Sequence, residues 1–187
     1  MTRAAYVLVG GQSTRMGRDK AFLPCEGEAL ASRTARIACA AAGTVVLIGD
    51  PARHAVFGYP VVADRYPGEG PLGGIVTALR DTAAEFNLVV ACDMPRLTLE
   101  FLDELLTAAE AEPVEILVPT TGDGRLEPLC AVYRQSARAG LERAFDAGLR
   151  KVTAAFAGLV VRRFPVQEVA CFQNLNTPED WARYAAG

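Results

Sequence analysis

Short apolar runs alternate with longer amphipathic stretches along almost the whole chain. Residues 4–9 form a continuous apolar run with β-branched side chains, which predicts a buried parallel strand. Residues 30–42 carry apolar side chains at helical spacing, and Gly43 follows where a helix commonly ends. Similar patterns predict strands at 44–48, 61–63, 88–91, 116–118, 129–133 and 160–164, and helices at 72–82, 101–109, 136–145 and after Thr177.

This order of elements predicts an α/β fold with three layers. A mostly parallel, Rossmann-like sheet should lie between helices on both faces, an α/β/α arrangement. The length of 187 residues suits a single domain that spans 1–187. Sheets of this kind bind ligands beyond the carboxyl ends of their strands, so the loops at that edge are where we expect the chemistry.

Composition and charge exclude several classes of protein. The net charge is −3, whereas a dedicated nucleic-acid binder needs a basic face. No apolar run is long enough to span a membrane, and a predicted strand begins too early to leave room for a signal peptide. The five cysteines are scattered, which favours reduced thiols in a cytoplasmic protein. His54 is the sole histidine, and we interpret it as a surface loop residue.

The segment from Gly10 to Lys20 follows the first strand and combines glycines, hydroxyls and cations. Gly10 and Gly11 allow backbone N–H groups to approach phosphate oxygens closely, and Arg15 adds charge. Neither the Walker A spacing nor G-x-G-x-x-G is present. Lys20 is one of only two lysines in a chain with 17 arginines, which draws attention to this position. The whole segment predicts a triphosphate-binding loop, although the glycines alone would suit a surface turn.

Two aspartates follow predicted strands, and one of them, Asp93, is placed where a divalent cation could lie beside phosphates. Asp93 comes after the strand at 88–91, and Asp64 directly follows the strand at 61–63. Carboxylates at such positions are typical Mg²⁺ ligands, yet strand-end aspartates also commonly stabilise turns. Asn174 and Asn176 could contact a polar heterocycle or a phosphate, and roles in a turn or a helix cap are the alternative.

Several motifs together resemble the molybdenum cofactor guanylyltransferases, the MobA family, over nearly the whole chain. The motifs are Leu8-Val9-Gly10-Gly11, Arg15-Met16-Gly17, Asp19-Lys20, Asp64, Gly70-Pro71-Leu72-Gly73-Gly74-Ile75, Cys92-Asp93-Met94-Pro95, Glu127 to Tyr133 and Asn174 to Pro178. The first motif is shared with many sugar and pterin nucleotidyltransferases. Two positions depart from the pattern: Val9 replaces the usual Ala, and Gly49 stands where some members carry an Asn that contacts the base.

The resemblance implies a sheet of the nucleotidyltransferase type and transfer of GMP from GTP to the terminal phosphate of molybdopterin, with release of pyrophosphate. By resemblance, Asp93 holds Mg²⁺, and Arg15 with Lys20 stabilises charge on the triphosphate. Nucleotide-binding residues would be Leu8, Val9, Gly10, Gly11, Lys20, Asp64 and Asp93. Asn174 and Asn176 would face the pterin. Proteins that carry molybdopterin, and molybdoenzymes that receive the product, are the partners implied.

Three other functions remain open from the sequence. A CTP-dependent molybdopterin cytidylyltransferase and a sugar-phosphate nucleotidyltransferase share the expected fold. A non-catalytic module that binds GTP and carries molybdopterin belongs to another class, because it would release no pyrophosphate.

Overall fold

The computed structural model describes residues 1–10, 19–167, 169–172, 180, 181 and 184. The main sheet consists of β1 Arg3–Leu8, β4 Val45–Gly49, β5 Val61–Ala63, β6 Phe86–Ala91, β7 Ile116–Thr120, β8 Cys130–Arg134 and β9 Val161–Pro165. A separate hairpin pairs β2 Pro24–Cys25 with β3 Glu28–Ala29. The order across the main sheet is β5-β4-β1-β6-β8-β7-β9.

Strand β8 runs antiparallel to both of its neighbours, β6 and β7, whereas the other pairings in the sheet are parallel. The register places Val90 of β6 opposite Cys130, the first residue of β8. The N-terminal end of β8 therefore lies at the edge where the parallel strands have their carboxyl ends. The prediction of a mostly parallel sheet is confirmed.

Helices cover both faces of this sheet. They are α1 Leu30–Ala42, the short α2 Pro51–His54, α3 Pro71–Asp81, α4 Leu99–Ala111 and α5 Arg138–Asp146. One core lies between the sheet and α1 with α4, and includes Val7 and Leu88. The other lies between the sheet and α3 with α5, and includes Tyr6 and Val89. Successive strand residues thus point into different cores, which confirms the three-layer α/β/α prediction.

Local sequence explains where several elements begin and end. Thr98 caps α4 by accepting a hydrogen bond from the backbone N–H of Phe101. Gly43 ends α1 at φ 82°, a conformation that glycine adopts without strain. The predicted helix at 136–145 begins as a 3-10 turn over Gln135–Ala137 before α5.

The helix that the sequence predicts after Thr177 falls largely outside the described residues. Within it, Asp180, Trp181 and Tyr184 are described and are helical. None of the five cysteines forms a disulfide, as expected. None of the described helices has the length and apolar character needed to cross a membrane.

Candidate active site at the carboxyl edge of the sheet

The loops that follow β1, β4, β5 and β6 meet at one edge of the sheet. The backbone N–H of Cys92, just after β6, donates to the carbonyl oxygen of Leu8 at 3.2 Å. Gly10 N–H donates to the carbonyl oxygen of Ile48 in β4 at 3.3 Å. Because these bonds join neighbouring strand ends, the segment that leaves β1 starts between the loops of β4 and β6.

Lys20 and Asp93 meet at this edge. Lys20 Nζ lies 3.2 Å from Asp93 Oδ2, and the two side chains are only 17% and 19% exposed. Asp93 occupies a turn two residues beyond β6, which ends at Ala91 as the sequence predicts. The structure therefore places together two residues that the sequence analysis selected from separate motifs.

The second carboxylate oxygen of Asp93 has unused bonding capacity. Oδ1 is buried, and among the described residues it has no hydrogen-bond partner. Buried polar atoms are nearly always paired, so an unpaired carboxylate oxygen is suited to a ligand. A hard cation such as Mg²⁺ prefers such an oxygen, and it completes its shell with phosphate oxygens and water. Asp93 therefore fits the metal, and no cluster of three His, Cys, Asp or Glu ligands occurs within the described part of the chain.

Asp19 connects Lys20 to the loop after β4. Lys20 opens a 3-10 helix, Lys20–Phe22, and Asp19 caps it by accepting a hydrogen bond from Ala21 N–H at 3.1 Å. Oδ2 of Asp19 lies 2.9 Å from Arg53 Nη2 and 3.3 Å from His54 Nε2. The carboxylate is 12% exposed, so it is a largely buried anchor at the start of the lysine-bearing turn.

The interpretation of His54 as a surface residue is wrong, because the residue is only 2% exposed. Asp50 caps the short helix α2, whose first residue is Pro51, and this turn directs the ring inward. The backbone N–H of Asp50 donates to His54 Nδ1 at 3.0 Å. Both ring nitrogens of His54 therefore have a partner. No sequence pattern indicates that one of these partners is Asp19.

Asp64 follows β5 and lies near β4, since its backbone N–H donates to the carbonyl oxygen of Gly49 at 3.2 Å. Its Oδ1 accepts hydrogen bonds from Tyr66 N–H at 3.0 Å and from the Thr77 hydroxyl at 3.3 Å. The half-buried carboxylate thus stabilises its own turn. That is the structural role which the sequence analysis left open for strand-end aspartates.

The predicted nucleotide-binding residues in and just after β1 differ in their exposure. Gly10 is exposed at the edge, and Leu8 is half-buried. Val9 is 3% exposed, so its side chain packs in the core. Only the backbone of Val9 could contact a nucleotide. Gly11, Arg15, Asn174 and Asn176 lie outside the described residues.

Glu127 lies at the same edge and received no role from the sequence analysis. The residue is 7% exposed, and Arg125 Nη2 lies 2.7 Å from its Oε1. Burial raises the pKa of this carboxyl, the cation of Arg125 counteracts the rise, and the charges of Asp123 and Asp93 add to it. The rule about carboxyl ends does not select Glu127, because this residue precedes its strand and does not follow it. Only an antiparallel strand brings its N-terminal end to this edge.

A cavity of about 520 Å³ is lined in part by Pro95, which follows Asp93 by two residues in the chain. Its lining residues combine cations, aromatic rings and one carboxylate: Pro24, Glu26, Arg33, Pro95, Arg96, Trp181 and Tyr184. Arg33 Nε donates to the carbonyl oxygen of Pro95 at 3.1 Å, which joins α1 to the loop of Asp93. The guanidinium of Arg96 lies 5.7 Å from the centroid of the Tyr184 ring. Flat faces beside guanidinium groups suit a planar, anionic ligand.

Gly10, exposed directly after β1, and the Lys20–Asp93 pair beside the central strand fit an α/β nucleotidyltransferase. Comparison with known proteins agrees with that class. Residues 5–160 match the MobA-like NTP transferase domain, and the chain belongs to this family.

Relatives and solved structures of similar fold cover nearly the whole chain. A molybdenum cofactor guanylyltransferase from Shewanella sp. (strain W3-18-1) is 35% identical, with 97% of this chain and 94% of the relative covered. The crystal structure of molybdopterin-guanine dinucleotide biosynthesis protein A from Archaeoglobus fulgidus has a TM-score of 0.83 at 30% identity and covers 96% and 95% of the two chains. A 2-C-methyl-D-erythritol 4-phosphate cytidylyltransferase from Thermus thermophilus shares the fold, with a TM-score of 0.74 at 17% identity and 99% and 98% coverage.

Proposed function

We propose that this protein transfers the GMP moiety of GTP to the terminal phosphate of molybdopterin. A phosphate oxygen of molybdopterin attacks the α-phosphorus, the bond between the α-phosphorus and its bridging oxygen breaks, and pyrophosphate leaves. The observation that carries the proposal is the Lys20–Asp93 pair at the carboxyl edge of the sheet. Relatives named for this reaction match almost the whole chain.

The reaction brings one anionic phosphate against another, so positioning and charge compensation matter more than a strong base. Lys20 and Arg15 would meet negative charge on the triphosphate as pyrophosphate leaves. Asp93 would hold Mg²⁺ through its unpaired Oδ1, and the bound metal would neutralise charge on the phosphate oxygens.

The nucleotide would lie along the ends of β1, β4 and β5. Leu8, Gly10, Gly11 and the backbone of Val9 would line it, and Gly10 has the exposure that this role needs. Asp64 would contact the base or the ribose. Its Oδ1 already stabilises the local turn, so the contact would involve Oδ2.

The acceptor would approach from the side of β6 and β8. The cavity beside Asp93 offers two guanidinium groups and two aromatic rings, which suit a pterin that carries a phosphate. Asn174 and Asn176 would contact the pterin from the C-terminal segment.

A single domain over 1–187 would act in the cytoplasm, on molybdopterin delivered by a carrier protein, and would pass its product to molybdoenzymes.

Pyrophosphate release, measured with molybdopterin and each of GTP, CTP and ATP, tests the function. We expect clear preference for GTP. Equal or faster turnover with CTP would favour the cytidylyltransferase instead, and the shared fold of the Thermus thermophilus cytidylyltransferase shows why the fold does not select the base. GTP binding without any pyrophosphate release would favour the non-catalytic carrier module.

A further inference from the structure

We propose that His54 is a positioning residue for Lys20, acting through Asp19. The inference rests on the role proposed for Lys20 in the transfer reaction. It adds a residue from α2, 35 positions from Asp19 in the chain, whose ring holds both ends of the turn that begins with Lys20.

The first contact is at the start of that turn. Asp19 caps the helix Lys20–Phe22, and its Oδ2 lies 3.3 Å from His54 Nε2. Arg53 reaches the same oxygen at 2.9 Å, but its side chain is 58% exposed, whereas that of His54 is 3% exposed. Solvent weakens the arginine contact, so the buried histidine determines the position of the carboxylate.

The second contact is at the end of the turn. The ring centroid of Phe22 lies 6.1 Å from that of His54 and 4.7 Å from that of Phe57. His54 and Phe57 are themselves stacked, with centroids 6.1 Å apart and 15° between their planes. Because His54 contacts Asp19 and Phe22 on either side of Lys20, rotation of the ring would move the lysine.

The hydrogen-bond pattern fixes the tautomer of His54. The backbone N–H of Asp50 is an obligate donor, so Nδ1 must be the acceptor of their 3.0 Å bond. The ring hydrogen is therefore on Nε2, where it is donated to Asp19. Both nitrogens are used, which holds the plane of the ring in one orientation.

Gly49 completes the arrangement by leaving space for the ring. A Cβ atom at this position would lie 2.6 Å from His54 Nδ1 and 2.7 Å from Val9 Cγ2. Both distances are shorter than real Cβ contacts, so any side chain here would displace the imidazole. The absence of a side chain at the end of β4 is thus a structural requirement of the buried histidine.

Nuclear magnetic resonance tests the geometry without substrate. His54 is the only histidine, so untagged protein labelled with ¹⁵N-histidine gives one set of ring signals. We expect a protonated Nε2 and an unprotonated Nδ1, with a change in the Nε2 signal in Asp19→Asn. Protonation of Nδ1, or no response to Asp19→Asn, would overturn the arrangement on which the proposal depends.

Kinetics then tests the coupling to Lys20. His54→Leu removes the donor and should lower kcat by about tenfold, within the loss that a small misplacement of a catalytic group produces. His54→Gln offers an amide N–H near the position of Nε2 and should restore much of the activity. In Lys20→Ala protein, His54→Leu should cause no further loss, because the two changes remove one function.

The matched control is Asn87→Leu. Asn87 is also fully buried and also bonds through its side chain, donating to Ala84 and Tyr133 at the opposite end of β6. We expect Asn87→Leu to lower the free energy of unfolding. It should change kcat by the same factor in the wild-type background and in the Lys20→Ala background.

A second route to the same displacement is Gly49→Ala, which should reproduce the kinetics of His54→Leu and shift the histidine signals. Additive effects of His54→Leu and Lys20→Ala, or a silent Gly49→Ala, would overturn the proposal while leaving the transfer reaction in place. Wild-type protein that releases no pyrophosphate with GTP, CTP or ATP would instead refute the proposed function, and with it the kinetic role of His54.

Discussion

Lys20 Nζ lies 3.2 Å from Asp93 Oδ2, although 73 residues separate them in the chain. Both side chains are about four-fifths buried, and their opposite charges compensate each other. Breaking such a pair by removing one partner leaves a buried charge, which is strongly unfavourable. The two residues should therefore respond to substitution as a unit, and their variants need measurements of folding beside those of activity.

Asp93→Asn should fold but lose most of its turnover, by roughly a hundredfold or more if Asp93 is the protein ligand of the metal. A neutral amide binds Mg²⁺ poorly, so higher Mg²⁺ should recover only part of the rate. Steady-state rates over a range of Mg²⁺ concentrations check this, with Asp146→Asn on the exposed end of α5 as the control. Wild-type rates for Asp93→Asn at saturating Mg²⁺ would mean that another group holds the metal.

Lys20→Ala should lower kcat/KM, with a loss of about 2–4 kcal/mol in transition-state stabilisation. This is the loss typical of removing a preorganised donor to transition-state charge. Lys20→Arg should recover part of this, because the guanidinium keeps the charge but is bulkier and differently directed. Steady-state kinetics, with circular dichroism to verify folding, distinguish the two variants.

The control for Lys20 is Lys151→Arg. Lys151 directly precedes the 3-10 helix Val152–Phe156 and is exposed, so its substitution should be silent. Full activity of folded Lys20→Ala would show that the loop binds phosphate through its backbone and Arg15 alone.

Arg96→Ala tests the acceptor side of the site. If the cavity takes the pterin, the substitution should raise KM for molybdopterin roughly tenfold, which corresponds to one contact of about 1.4 kcal/mol. KM for GTP should stay unchanged. Arg143→Ala, an exposed arginine on α5 at the other face of the sheet, is the control. An equal rise in both KM values would place Arg96 outside a dedicated acceptor site.

Glu110→Gln tests how the first strand is fixed to α4. Arg3 in β1 donates to both oxygens of Glu110, with Nε–Oε1 and Nη2–Oε2 distances of 2.8 Å, and this contact lowers the pKa of the carboxyl. A lowered folded-state pKa means that the stabilisation is present above the ordinary value of about 4.3 and is lost as the pH falls through the folded-state value. The variant should be about 1 kcal/mol less stable at pH 7.

Denaturant unfolding at pH 7 and below pH 4 measures this effect. The difference between Glu110→Gln and wild type should shrink as the pH falls. A constant difference at both pH values would show that the ionised pair contributes nothing and that packing explains the change.

The sequence predicted the sheet and its helices, and it selected Lys20 and Asp93 as candidates, because each of these depends on local patterns. Apolar periodicity located β1 and α1, and the rule about carboxyl ends selected Lys20 and Asp93 without knowledge of their contact. The same rule could not select Glu127, since it applies to residues that follow parallel strands. Antiparallel pairing of β8 is a property of the folded sheet.

His54 was misinterpreted for a different physical reason. Its environment depends on Asp19, 35 positions earlier, and on Phe22 and Phe57, which no periodic pattern connects to a single histidine. Gly49 was noticed only as a departure from the family pattern. Its meaning required the three-dimensional contact with the ring.

Positions 49 and 54 compete for one volume at the end of β4, because a Cβ atom on Gly49 would overlap the imidazole of His54. An Asn at position 49, the residue that the family resemblance associates with contact to the base, would therefore require a smaller or differently oriented residue at position 54. An Asn side chain at position 49 and the buried imidazole at position 54 are mutually exclusive within this backbone. Gly49→Asn in a chain that keeps His54 should therefore be less stable than Gly49→Asn combined with His54→Ala.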